Sequence, residues 1–349
     1  MREVTELEEL RASFRQVLDD IVAAGDIRRH VDAGAARCDA LWGKAAELGW
    51  FALLTPEALG GLELGRAAAA VLYEELGRVT APLPIVGALA VTDVVALYGS
   101  KAQGESWLPR LANGETATFG AGAVFANDAG LRFAKDKLSG EAQDLLNGAE
   151  AALLLAPVRE GWALADTAGF AIERIELVDR TRSVANARID GADASLLAEN
   201  DAIARALRVH VSVAIACDSI GGAKAVLDLT VDYLKMREQF GKPIGSFQAL
   251  KHRCAEHKVA IEAADALLAK AVQRWANEDA DAELHTALVK ALACDVYAAV
   301  ATDAVQLHGG IGFTWEHACH LYLKRAKLNQ ALFGTSAAHR DAAARLLVA

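Results

Sequence analysis

The sequence predicts a mostly α-helical protein with a small β domain in the middle of the chain. Residues 1–115 and 201–349 carry apolar residues at helical spacing, whereas residues 116–200 consist of short runs of mixed polarity. The chain is rich in alanine and has only 6 prolines among 349 residues. This composition favours long helices, because alanine loses no side-chain entropy in a helix. We therefore expect an N-terminal helical domain, a middle β domain and a C-terminal four-helix bundle.

The first domain, residues 1–115, shows helical periodicity that is interrupted by turn formers. Residues 40–50 (ALWGKAAELGW) form one periodic segment, and the loop TPEALGG follows at residues 55–61. The prolines of APLP at residues 81–84 separate two further helices, because proline removes a backbone donor and restricts the residue before it. These breaks predict several helices of ordinary length.

The middle domain, residues 116–200, is shortened and reads as strands. Its apolar runs are separated by Gly, Asn and Asp, and they include residues 131–140, 151–158, 161–166 and 170–177. Alternation with frequent turn residues is typical of strands. A segment of this length allows only a small sheet or barrel.

The C-terminal domain, residues 201–349, contains four long periodic segments. They cover residues 202–236, 247–277, 282–307 and 315–333. Helices of this length with one apolar stripe usually pack as an antiparallel bundle.

Charge and hydropathy exclude several function classes. The net charge is −10 and the sequence pI is about 5.4, and no Lys/Arg block could follow a phosphate backbone. Nucleic-acid binding is therefore not expected. The chain is charged from its first turn, and no apolar run approaches the ~20 residues that cross a bilayer. We expect a cytoplasmic protein that does not insert into membranes.

Two motifs in the C-terminal part carry candidate ligand-binding residues. Residues 237–248 read REQFGKPIGSFQ, and Arg237 offers a permanent planar cation suited to a pyrophosphate. Residues 306–313 read QLHGGIGF, where Gln306 can both donate and accept hydrogen bonds and the glycines let backbone approach a ligand. Taken alone, the arginine could be a solvated helix-end charge and the glycines a plain turn.

In this order the two motifs resemble elements of the acyl-CoA dehydrogenase family, R-x-x-F-G-x-x-I-x-x-F-Q and Q-x-x-G-G-x-G. Residues 48–50 (LGW) and 74–77 (EELG) resemble its N-terminal domain, so the resemblance covers the whole chain unevenly. It implies dehydrogenation of acyl-CoA thioesters with FAD, and motifs that reach across a subunit boundary to the FAD of a neighbouring chain. The cofactor-binding residues that it implies are Arg237, Gln239, Phe240, Gln306, Gly309, Gly310 and Gly312.

The family's reaction needs a carboxylate base over the substrate. Many members place a Glu before a Gly-Thr near the C-terminus, where this chain has Phe333, and isovaleryl-type relatives have a Glu where this chain has Val211. Asp218 stands where actinobacterial steroid-degrading relatives often show Glu, and it is the candidate catalytic base. Asp is one methylene shorter than Glu, and a misplacement of about 1 Å can cost ~100-fold in rate. The alternative for Asp218 is a buried helix acid bonded to a neighbouring Arg or hydroxyl.

The stretches that cover the flavin ring in catalytic relatives also differ here. Residues 119–127 and 145–148 contain no Trp and no Thr. A chain that keeps its contribution to a neighbour's FAD without its own base and cover resembles the non-catalytic subunit of heteromeric acyl-CoA dehydrogenases. Such α2β2 enzymes act on steroid side-chain CoA thioesters among actinobacterial relatives.

The resemblance therefore implies three partners: a second acyl-CoA dehydrogenase-like subunit, an acyl-CoA substrate and an electron acceptor of the electron-transfer flavoprotein type. Two alternatives remain open. One is a self-sufficient homo-oligomeric dehydrogenase with Asp218 as base. The other is a non-enzymatic scaffold that has lost FAD and stabilises a partner.

Histidines near the second motif raise the question of a metal site. His308, His317 and His320 lie close together in sequence, and His317 and His320 could share one helix face. On such a helix Glu316 and Cys319 would point elsewhere, so no further ligand completes the set. We therefore expect polar residues near a cofactor turn and no metal site.

Overall fold

The computed structural model describes residues 2–35, 37–120, 122, 130–197 and 200–348. Contacts within the chain divide it into two compact units. The first consists of Met1–Ala69 and Pro82–Val211, and the second of Ala70–Ala81 and Ser212–Ala349. The predicted fold class, mostly α with a small β domain, is confirmed.

The N-terminal region is helical, as its periodicity predicted. Its helices are α1 (Arg2–Ala23), α2 (Asp26–Ala33), α3 (Asp39–Glu47), α4 (Gly65–Arg78), α5 (Ile85–Tyr98) and α6 (Lys101–Ala112). The APLP segment separates α4 from α5, as expected of proline. A capping box starts α6, where Ser100 Oγ accepts from the Gln103 amide and the Gln103 side chain accepts from the Ser100 amide.

The first unit also contains the sheet. Its strands are β1 (Ala117–Thr118), β2 (Leu131–Ala134), β3 (Lys137–Leu146), β4 (Leu153–Val158), β5 (Gly161–Asp166), β6 (Ala171–Ile175) and β7 (Val184–Leu197). The order is β1-β4-β5-β7-β3-β2, and β6 also pairs with β7. Strand β7 was not among the runs singled out in the sequence. Its Asn, Asp and Gly residues obscure the alternation, although it pairs antiparallel with β3, β5 and β6.

The second unit holds the helical C-terminal region. Its elements are α7 (Asn200–Met236), which begins in the first unit, β8 (Glu238–Gln239), β9 (Lys242–Pro243), α8 (Gln248–Ala276), α9 (Ala282–His308), α10 (Cys319–Ala331) and α11 (Ser336–Val348). Helices α7 to α10 correspond to the four predicted segments, and α11 is an additional helix. The expected start of the last segment at residue 315 is wrong, because residues 309–313 form a 3-10 turn and α10 begins only at Cys319.

Close backbone packing joins α4 to α7 within the second unit. A Cβ on Gly221 would lie 2.0 Å from the Glu74 carbonyl oxygen, so only glycine fits at this crossing. Beside it, Lys224 Nζ donates to carboxylate oxygens of Glu74 and Asp265, both at 2.9 Å, and so ties α7 to α4 and α8. These contacts fix the part of α7 that carries Asp218.

Helix α7 corrects the expectation that no apolar run approaches the length needed to cross a bilayer. It is long enough to cross a membrane, and its most apolar 18-residue window has a mean hydropathy of 1.2. Of that window 89% is buried inside the fold, which is the pattern of a core helix.

The three-domain division predicted from the sequence, 1–115, 116–200 and 201–349, stays a prediction. Its boundaries fall between α6 and β1 and at the first residues of α7. The contacts group the chain into the two units given above instead.

Candidate cofactor-binding turns and the base positions

The first motif forms an exposed hairpin between α7 and α8. Strands β8 and β9 pair, and the tip consists of Phe240 (φ 56°) and Gly241 (φ 76°) in the left-handed region. The Ile244 amide donates to the Arg237 carbonyl oxygen at 2.8 Å and closes the hairpin. The sequence folds this way because Gly241 accepts a positive φ without strain.

The side chains of this hairpin point outward. Arg237 and Gln239 are exposed, and the Phe240 ring is 89% exposed. Lys242 Nζ lies 4.4 Å from the centroid of the Phe247 ring, a cation–π contact at the hairpin base. The Phe240 side chain and the Arg237 guanidinium are therefore both accessible to another molecule.

The second motif forms an open turn at the end of α9. Gln306 is exposed, and Gly309 has φ 62°. A Cβ placed on Gly309 or Gly310 would meet no described atom within 4 Å, so their bare backbone leaves space open toward the outside. Gly312 differs, because a Cβ there would lie 2.7 Å from the Val305 carbonyl oxygen. Packing within the turn already explains Gly312.

Tyr233 brings the two motifs together. Its ring stacks on the His308 ring with centroids 4.4 Å apart, and its hydroxyl donates to the His308 carbonyl oxygen at 3.4 Å. The Tyr233 carbonyl oxygen in turn accepts from the Arg237 amide at 2.8 Å. The hairpin and the glycine turn therefore lie side by side in the second unit.

This arrangement fits FAD approaching from outside the chain. The exposed guanidinium of Arg237 suits a pyrophosphate, and the exposed Gln306 amide suits a polar cofactor edge. The turn at Gly309 and Gly310 leaves backbone that a ligand can approach closely.

Three positions were considered for the catalytic base, and two of them hold buried apolar side chains. Val211 in α7 and Phe333, which follows α10, are both essentially inaccessible to solvent. Phe333 has φ 55°, and its carbonyl oxygen accepts from His339 Nε2 at 2.8 Å. The next residue is held as well, because Lys290 Nζ donates to the Gly334 carbonyl oxygen. The turn that carries a Glu in many family members is thus ordered here around a phenylalanine.

Asp218, the third base position, is held in a buried ion pair. Arg325 Nη1 donates to Asp218 Oδ2 at 2.7 Å, and Asn329 Nδ2 donates to Asp218 Oδ1 at 2.7 Å. The Arg325 guanidinium also donates to the Thr80 and Ala81 carbonyl oxygens at 3.1 Å. A carboxylate with both oxygens bound by buried donors favours the structural alternative, and its role as base stays a prediction.

Sequence reasoning missed these two partners of Asp218. Arg325 and Asn329 are four residues apart on α10, so they share one helix face. The spacing of these two residues could be read from the sequence, whereas the packing of their helix face against α7 could not.

Two stretches were compared with the segments that cover the flavin ring in catalytic relatives. Most of the first, residues 119–127, lies outside the described residues, and Phe119 at its start is buried. In the other stretch, Leu145 and Leu146 end β3, and the buried Asn147 donates its amide to the Ser183 carbonyl oxygen at 2.8 Å.

The expectation for Cys319 is wrong. Its Sγ atom lies 3.4 Å from His308 Nδ1 and does not point elsewhere. The expectation assumed that residues 316–320 form a helix, but Cys319 is the first residue of α10, so helical spacing does not apply before it.

Comparisons with known proteins agree with this fold. Residues 5–115 match the family model of the acyl-CoA dehydrogenase N-terminal domain, and residues 203–348 match that of its C-terminal domain. The chain belongs to the acyl-CoA dehydrogenase family, whose cofactor is FAD.

Among individual proteins, acyl-CoA dehydrogenase IpdE2 of Mycobacterium tuberculosis is 32% identical over 322 residues, 89% of this chain and 90% of the relative. The structure of the Tcur3481–Tcur3483 steroid ACAD is 29% identical with a TM-score of 0.88, and the match covers 99% of this chain and 98% of that one. The ChsE4–ChsE5 complex of Mycobacterium tuberculosis has a TM-score of 0.89 at 23% identity, covering 98% and 97%, and shows the same fold.

Proposed function

We propose that this chain is the non-catalytic subunit of a heteromeric, FAD-dependent acyl-CoA dehydrogenase, in which it completes the FAD site of a neighbouring subunit. One observation carries the proposal. The two cofactor motifs form exposed, adjacent turns, while the positions for a base hold buried Val211, buried Phe333 and the ion-paired Asp218.

The chemistry of the reaction explains why the residues at the three positions for a catalytic base decide whether this chain is catalytic. A carboxylate must remove the α proton of the acyl-CoA, and FAD, when bound, accepts the hydride from the β carbon. Valine and phenylalanine cannot accept a proton. Asp218 could do so only after leaving Arg325, and a buried guanidinium without its anion is costly.

The surface around the motifs supports a neighbouring subunit. Besides Phe240, the side chains of Met236 and Phe313 are 74% and 77% exposed, and both lie beside the proposed FAD residues. Exposed apolar groups of this size mark interaction surfaces. On this proposal Arg237, Gln239, Phe240, Gln306, Gly309 and Gly310 contact the neighbour's FAD, and Gly312 shapes the turn.

The similarity to the Tcur3481–Tcur3483 steroid ACAD favours an α2β2 assembly with a second acyl-CoA dehydrogenase-like chain, and a steroid side-chain CoA thioester as substrate. An electron-transfer flavoprotein-type acceptor and a cytoplasmic location complete the proposal.

The test is to express this chain alone and together with a second acyl-CoA dehydrogenase-like chain, and to measure flavin absorbance per chain and oligomer mass. We expect little FAD in the chain alone and a yellow complex with the partner. The reason is that one chain would supply only part of the contacts to FAD and would therefore bind it weakly. FAD should also raise the thermal midpoint of the complex, since it binds the assembled state. Stoichiometric FAD in a homo-oligomer of this chain would support the self-sufficient enzyme instead. A stable complex without FAD would support the scaffold.

Replacing Arg237 with Ala is expected to weaken FAD binding by the assembled enzyme. A pyrophosphate that loses a charge-assisted hydrogen bond loses about 1.5–3 kcal/mol, or roughly 10- to 150-fold in affinity. The measurement is fluorescence titration of the apo complex with FAD. Arg132→Ala removes an exposed arginine from β2 and is the matched control, with unchanged affinity. Equal FAD affinity of the Arg237→Ala complex and the native complex would contradict the assignment.

A further inference from the structure

Three potential metal-ligand atoms meet beneath the glycine turn. His308 ends α9, Cys319 begins α10, and His317 lies in the connection between them. One ligand atom from each lies within 4.8 Å of the other two. Cys319 Sγ is 3.4 Å from His308 Nδ1 and 3.8 Å from its Nε2. A tetrahedral zinc site with Zn–N near 2.0–2.1 Å and Zn–S near 2.3 Å needs an N···S separation of about 3.6 Å.

The hydrogen bonds of the two imidazoles indicate which nitrogens would bind. His308 Nδ1 lies 2.7 Å from the Ala304 carbonyl oxygen, so Nδ1 carries the proton and the Nε2 lone pair remains available. A second ring nitrogen that donates to a carbonyl is the usual arrangement of a metal-bound histidine. His317 Nδ1 accepts from the Cys319 amide at 3.2 Å, which directs its lone pair toward Cys319. A metal at this nitrogen would replace that long hydrogen bond.

Imidazole binds a metal ion in its neutral form and cysteine binds as a thiolate, so binding at these three residues would release the thiol proton of Cys319. His317 is partly exposed, which provides a route by which an ion and a water ligand can enter.

We propose that His308, His317 and Cys319 bind one Zn²⁺ ion, with a water molecule in the fourth position. The step is an exchange without oxidation or reduction: the Cys319 S–H bond breaks, a Zn–S bond forms and one proton passes to solvent. Two imidazoles and a thiolate favour a cation of this softness over Mg²⁺ or Ca²⁺. The ion would join α9 to α10 across the turn that carries Gly309 and Gly310. Binding of the ion does not depend on the role of this chain toward FAD.

The test uses the full-length chain, freed of metal with a chelator and titrated with Co²⁺ alone. We expect a thiolate-to-cobalt charge-transfer band that saturates at one ion per chain, release of one proton per ion in weak buffer, and loss of the band on adding Zn²⁺. Cys319→Ser should abolish the band, whereas Cys254→Ser, a half-buried cysteine in α8, should leave it unchanged. Zn²⁺ should also raise the thermal midpoint of the native chain and not that of Cys319→Ser.

His317→Gln is the second variant, since His317 is partly exposed and its replacement should leave the fold intact. We expect it to weaken Co²⁺ binding at least 10-fold while circular dichroism stays unchanged. The proposal is overturned if the native chain shows no charge-transfer band. It is equally overturned if the band persists in Cys319→Ser, or if His317→Gln binds Co²⁺ as tightly as the native chain.

Discussion

Replacing Arg325 with Met is expected to lower the free energy of unfolding by about 3–5 kcal/mol, because it leaves the buried charge of Asp218 without its cation. Arg325 is 1% exposed, and its guanidinium binds Asp218 Oδ2 and two carbonyl oxygens. Methionine occupies a similar volume but donates no hydrogen bond. The measurement is the unfolding free energy from urea titration of the purified chain or complex.

A double-mutant cycle separates the contribution of the Asp218–Arg325 ion pair to stability from the effect of changing side-chain shape. Asp218→Asn keeps the size of the side chain and removes its charge, so the variant that combines it with Arg325→Met should be less destabilised than the sum of the two single changes. Additive losses would show that the ion pair is not the source of the effect.

The same Asp218→Asn variant tests the base directly. Since we propose that this chain is non-catalytic, turnover per folded complex should survive the change. If the variant complex retains FAD and its fold but fails to remove the α proton, Asp218 is the base and the self-sufficient enzyme is the correct reading. Measuring exchange of the substrate α proton with solvent deuterium isolates this step.

The fold could be predicted where periodicity is long and uninterrupted. Helices α7 to α9 follow their periodic segments, and the prolines before α5 mark a true break. Prediction failed where local pattern and tertiary packing disagree. Strand β7 is stabilised by pairing with three other strands and not by its own alternation, and the start of α10 is set by the preceding 3-10 turn.

Only those parts of the site that lie within a single sequence motif could be predicted. Arg237 and Gln306 were named from their motifs, and the structure places both at exposed positions, Arg237 at the base of the hairpin and Gln306 in the last turn of α9. The partners of Asp218 lie 107 and 111 residues away, and no local pattern joins them. Cys319 was misplaced for a related reason, because helical spacing was applied to residues that form a turn.

His339 holds the turn in which Phe333 replaces the family's glutamate. Its Nε2–H group donates to the Phe333 carbonyl oxygen at 2.8 Å, a hydrogen bond that the neutral and the protonated ring can both make. Burial, and after it the nearby charge of Lys290, lowers the pKa of His339 from 6.5 to about 4. Between these two values the unfolded chain takes up a proton that the folded chain does not.

The free energy of unfolding should therefore fall as the pH is lowered from 6.5 to about 4, and His339 contributes to this loss. The contribution of neutral His339 is fully present above pH 6.5 and is lost as the pH falls toward 4. By linkage the loss reaches about 3 kcal/mol at pH 4. His339→Gln retains a donor at a similar position but does not titrate. The unfolding free energy of the native protein should thus fall by about 3 kcal/mol more than that of the variant between pH 7 and pH 4.

Other buried histidines, such as His210, also destabilise the fold in acid, but they contribute equally to both proteins and cancel in the comparison. His252→Gln, at an exposed position in α8, is the matched control and should follow the native pH dependence. The measurement is urea unfolding of all three proteins at pH 7, 5.5 and 4. Parallel pH dependences of the native protein and His339→Gln would contradict the lowered pKa of His339, because they would show that this residue takes up its proton as readily in the folded protein as in the unfolded chain.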